Sequence, residues 1–82
     1  EKILLKFQKN EYPYVATKPW HGSQKKVAED ESSVTIELNV VVNYELEQKI
    51  LSWGNYVEIL KPVSLREKIK SRIKDSLEKY DQ

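Results

Sequence analysis

The chain has 82 residues, enough for one small domain (residues 1–82) that buries about 60% of its unfolded surface. Charged residues make up 33% and the net charge is +1, which excludes a uniformly basic nucleic-acid coat. Cysteine is absent, so disulfides, thiolate metal sites and thiol nucleophiles are excluded, and a reducing, cytoplasmic setting is expected.

Ile3, Leu5 and Phe7 alternate with Lys2, Lys6 and Gln8, which predicts a first strand over residues 2–8, with Leu4 breaking the polar face. Asn10 is placed to cap a short helix with Glu11 at its positive end and Pro13 in its first turn, and Pro19 ends that helix at Lys18. Residues 18–24 (KPWHGSQ) form a turn, and residues 24–29 a second strand whose clearest apolar position is Val27. Asp30, Glu31, Ser32 and Ser33 turn the chain into a third strand, marked by Val34, Ile36, Leu38, Val40 and Val42 at every second position.

After Asn43 the period changes. Leu46, Ile50 and Trp53 read as a helix, Gly54 stops it, and Val57 and Ile59 begin a fourth strand that runs to Pro62. Ser64 to Glu67 has the form of a capping box, and Leu65, Ile69, Ile73, Leu77 and Tyr80 mark the apolar stripe of a last helix. The order predicts an α+β fold: a ferredoxin-like four-stranded antiparallel sheet (β-α-β-β-α-β) with helices on one face, plus a C-terminal helix.

No apolar run approaches the ~20 residues of a membrane span, and the first residues lack the form of a signal peptide, so no membrane contact is expected. Methionine is missing even at position 1, and the expectation is a fragment of a longer protein.

The succession Pro19-Trp20-His21-Gly22-Ser23-Gln24, Ile50-Leu51-Ser52-Trp53-Gly54, Val57-Glu58-Ile59-Leu60-Lys61-Pro62 and Leu65-Arg66, with a helix ending at Tyr80, resembles the C-terminal extension (WCX) domain that follows the WYL domain in bacterial transcriptional regulators. The resemblance implies a regulatory module without catalysis or cofactor. It implies as partners a second copy (a homodimer) and the preceding WYL domain of the same chain. DNA would be bound through an N-terminal winged helix-turn-helix outside these 82 residues, and the module would take part in dimer assembly and effector response.

His21 lacks the companions of a metal ligand or a catalytic base, so the expectation is a local hydrogen bond within its turn. The loop offers a second reading. Lys18, Trp20, His21, Ser23, Gln24, Lys25 and Lys26 combine rings to stack bases with cations to neutralise phosphate, and Arg66 follows the expected cap; together they suit a nucleic-acid or small anionic effector. The plainer alternative has Trp20 closing the end of the core and the lysines in water, and the usual burial of tryptophan favours it. On the last helix Arg66, Lys70 and Lys74 border one edge of the stripe, and Lys68, Arg72 and Lys79 the other.

The sheet face turned away from the helices is the candidate partner interface. Alternation places Leu4, Glu37, Asn39, Val41, Tyr56 and Leu60 there, beside Lys6, Lys26 and Glu58. Leu4, Val41, Tyr56 and Leu60 are too apolar together for a freely solvated face.

Overall fold

Alternating residues do become strands, and on β1 and β3 the inward set is the one the pattern marks. The computed structural model describes residues 1–81. It contains β1 (Lys2–Gln8), α1 (Tyr12–Thr17), β2 (Lys25–Glu29), β3 (Ser33–Asn39), α2 (Tyr44–Ser52), β4 (Val57–Lys61) and α3 (Val63–Tyr80). The sheet order is β2-β3-β1-β4 and every pairing is antiparallel, as the ferredoxin-like expectation requires. No helix among the described residues is long and apolar enough to cross a membrane.

Strands β1 and β3 pair in unbroken register from Lys2 with Asn39 to Gln8 with Ser33. Ile3, Leu5, Phe7, Val34, Ile36 and Leu38 therefore share one face, and all are buried there with Val15, Ile50, Ile59, Leu65 and Ile69. Val40 and Val42 lie beyond the end of β3, but their side chains still pack against this core.

Three local expectations are corrected. Asn10 caps nothing: residues 9–11 form a 3-10 turn, and neither that turn nor α1 has a side-chain cap. The capping box at Ser64 does not form either. Helix α3 starts at Val63 with Pro62 as its extended N-cap, so Ser64 is already inside the first turn and its hydroxyl is not at the capping position. Val27 is absent from the core. The β2–β3 register shifts between Lys26 and Ala28, which leaves Val27 on the bulge and 44% exposed.

The same bulge turns Lys26 away from the open face. It pairs with Ile36 on the helix side and holds Glu29 at 2.6 Å. At α2 the structure supplies a cap of its own, the Asn43 side chain, which accepts from the Leu46 amide at 2.9 Å. Gly54 follows the Trp53 C-cap of α2 at φ 58°, a left-handed conformation that glycine adopts without strain, and the chain passes through a 3-10 turn (Gly54–Tyr56) into β4.

Candidate functional site

The loop between α1 and β2 is held by its polar residues. The Gln24 side chain accepts from the Trp20 amide at 2.9 Å and donates to the Val15 carbonyl at 3.1 Å, which closes the turn onto α1. The Ser23 hydroxyl accepts from the Asn39 amide at 2.9 Å and lies 3.2 Å from the Asn39 carbonyl, which ties the loop to the end of β3. His21 Nδ1 sits 2.7 Å from that hydroxyl and accepts from the Ser23 amide at 3.0 Å. Nδ1 is thus an acceptor, and the proton of the neutral ring belongs on Nε2. A hydroxyl beside an imidazole is also the geometry of an activated nucleophile, but here the oxygen joins two elements through both backbone groups of Asn39.

Trp20 does close the end of the core. Half-buried, it meets Phe7 edge-to-face at 5.5 Å, and Trp53 meets Phe7 likewise at 5.3 Å. Lys49 lies 5.1 Å from the centre of the Trp20 ring. The loop cations are dispersed. Lys25 pairs with Glu37 at 3.8 Å, Lys26 with Glu29, and Lys18 is exposed with no ion pair among the described residues. Arg66 stands at the opposite edge of the sheet, donating to Glu58 at 2.9 Å and to the Ile59 carbonyl at 2.6 Å. The fold does not bring Arg66 to the loop.

Next to β2 the charges are more tightly organised. Hydrogen bonds from Lys26, then from Lys9, hold the Glu29 carboxyl below its ordinary range, and Glu29 in turn raises the Lys26 ammonium. Asp30 accepts from the Ser32 and Ser33 amides at 2.8 and 2.7 Å, which lowers its carboxyl to about 2. These contacts stabilise the β2–β3 turn; nothing in them is directed at a ligand.

The open face of the sheet carries Leu4 and Leu60, both half-buried, among Lys6, Glu37 and Glu58. Leu60 lies where the β1–β4 register shifts. Asn39 ends β3, with its backbone engaged by Ser23. Val41 and Tyr56 are exposed but belong to opposite ends of the sheet: Val41 follows Asn39, which pairs with Lys2, whereas Tyr56 precedes Val57, which pairs with Phe7. Roughly 15 Å of strand separates those ends, so the apolar members of the candidate patch form a small centre and two outliers.

Glu47 escaped the sequence reading. It is 4% exposed in the α2–α3 seam, with Lys68 at 3.0 Å and Arg72 at 3.3 Å; Arg72 also donates to Gln48 at 2.5 Å and lies 5.4 Å from the Tyr44 ring. Its position was a signal, since a carboxylate three before Ile50 and four before Leu51 belongs to the inward side of α2. Beside this seam a mainly apolar groove of about 220 Å³ opens between Ile50, Leu51, Val57, Ile69 and Ile73, with Arg66 and Lys70 also among its lining residues. Among the described residues no group of three or more His, Asp or Glu is placed to hold a metal ion.

A family comparison decides what this arrangement is. The profile of the WCX domain family matches residues 1–77. The chain is a member of the WCX domain family. No curated protein matches it. The match covers every element of the fold and most of α3, and it stops before Glu78, Lys79 and Tyr80. Family membership makes this WCX domain a regulatory domain of the kind associated with WYL proteins.

Proposed function

We propose that this WCX domain is a non-catalytic regulatory module of a WYL-family DNA-binding transcriptional regulator, where it joins two copies of the chain and couples an effector to the DNA-reading part. The observation that carries the reading is the WCX match over residues 1–77. Two unpartnered apolar surfaces support it: the Leu4 and Leu60 centre of the open sheet face, and the far half of α3. On this reading the open face receives the preceding WYL domain. The DNA contacts lie outside these 82 residues, in a cytoplasmic protein.

A nucleic-acid or anion site uniting the 18–26 loop with Arg66 draws no support from the geometry. Trp20 is spent on Phe7 and Trp53, and Arg66 lies across the sheet. Sedimentation velocity over a wide concentration range tests the main reading. Self-association is expected, and a chain that stays monomeric at millimolar concentration would count against it.

A further inference from the structure

The groove between α2, β4 and α3 has an apolar floor that the fold leaves open. Ile50, Ile59 and Ile69 are buried beneath it, Leu51 and Val57 are half-buried beside them, and Ile73 on its wall is 51% exposed. At Gly54, which also lines the groove, an added Cβ would meet nothing within 4 Å, so the groove is open on that side. Its volume of about 220 Å³ equals about seven water-sized groups at ~30 Å³ each. A concave apolar site with a few polar groups at its border is the form of a small-molecule site, and this volume sets a small ligand.

The charges on the lining are Arg66, Lys70 and Glu58, a net of +1. Glu58 is already matched, because Arg66 Nη1 donates to it at 2.9 Å and to the Ile59 carbonyl at 2.6 Å. The Nε and Nη2 of the same guanidinium make no hydrogen bond among the described residues, and Lys70 makes no ion pair among them. Nε and Nη2 form the side-on edge of a guanidinium, whose two parallel N–H groups match a carboxylate. Lys70 stands four residues after Arg66, on the same side of α3. One carboxylate balances this lining. A phosphate monoester, at about −1.5 to −2, would leave unmatched charge against apolar walls.

We propose that this groove binds a small apolar monocarboxylic acid. A hydrocarbon of about seven carbons lies over the three isoleucines, and the carboxylate is held by the open edge of Arg66 and by Lys70. The hydrocarbon covers Leu51, Val57 and Ile73, the apolar walls that the fold leaves partly in water. The binding site stands on the groove itself; only the ligand's role as the effector rests on the regulatory reading above.

Titration of the isotope-labelled 82-residue chain with octanoate, followed by its amide chemical shifts, tests this. Saturable shifts are expected at Leu51, Gly54, Val57, Ile69 and Ile73, and none in β2 at the other edge of the sheet. Octanol and acetate, which supply the tail and the charge separately, should each bind at least about tenfold more weakly than octanoate. Lys70→Glu, at an exposed position, is expected to raise the octanoate dissociation constant at least about tenfold. Ile73→Asp should do the same by placing a charge on the apolar wall. Wild-type β2 shifts in either variant show that it is folded. No saturable shift in millimolar octanoate, or shifts spread over the whole surface, overturns the site and leaves the self-association reading intact. Octanol binding as tightly as octanoate, or wild-type affinity in folded Lys70→Glu, overturns the choice of a carboxylate. A chain that binds octanoate in the groove but stays monomeric overturns the self-association reading and upholds the site.

Discussion

Glu47 enters the α2–α3 seam with a cation at each carboxylate oxygen: Lys68 holds Oε2 and Arg72 holds Oε1. Burial makes the carboxylate dependent on those two partners, whereas Lys68 remains largely in water. Glu47→Ala is expected to cost about 1–2 kcal/mol, less than a fully buried pair, because the stranded cations can be resolvated. Urea denaturation measures it, and no loss would mean that the seam stands on Leu65 and Ile69 alone. Asp30 is the pH-sensitive counterpart. Hydrogen bonds from the Ser32 and then the Ser33 amides lower its carboxyl from 3.8 to about 2. A depressed folded-state value makes its stabilisation complete above the ordinary value and lost as pH falls through the folded one, a window from about 4 down to about 2. The Asp30 carboxyl carbon, followed by NMR, should titrate near 2, and the stability gap to Asp30→Ala should close across the same window. A midpoint near 3.8 would refute the assignment.

Two helix starts separate what the chain states locally from what it does not. Asn43 caps α2 through the Leu46 amide, so Asn43→Ala should cost about 1 kcal/mol. Ser64 has the letters of a cap, but α3 begins before it, and Ser64→Ala should change stability by less than about 0.5 kcal/mol. Paired thermal melts distinguish them; a larger loss for Ser64→Ala would restore the capping box. The strands were legible because one-sided burial writes a period of two into Ile3, Leu5 and Phe7 and into Val34, Ile36 and Leu38. Val27 misled because a bulge is decided by the register between strands, which a single strand does not record. The loop was legible as a turn, and the expected local role of His21 is what the structure shows. Glu47 was not, because the cations that make its burial tolerable lie more than twenty residues away on another helix.

At the scale of the whole molecule, the stripe of α3 was readable to its end, but not the point at which the protein stops covering it. The polar contacts with α2 reach Arg72, Ile73 lines the groove beside Ile50 and Leu51, and Leu77 and Tyr80 farther along the helix are exposed. Helical segments as short as that exposed end are marginal in water, since their stability normally comes from a packed apolar face. Protection from hydrogen exchange should therefore fall sharply along α3. Amides around Ile69 should exchange only by global unfolding, and those of Leu77 to Tyr80 at close to the free-chain rate in dilute solution. Under the self-association proposed above, raising the protein concentration should protect the second group and leave the first unchanged, because pairing supplies the missing face without touching the core. Exchange mass spectrometry at two concentrations, with Leu77→Glu as the control that stays unprotected at both, reads this directly. Strong protection of residues 77–80 already present in the dilute monomer would mean that the helix needs no partner there, and the apolar stripe would then be without a role in assembly.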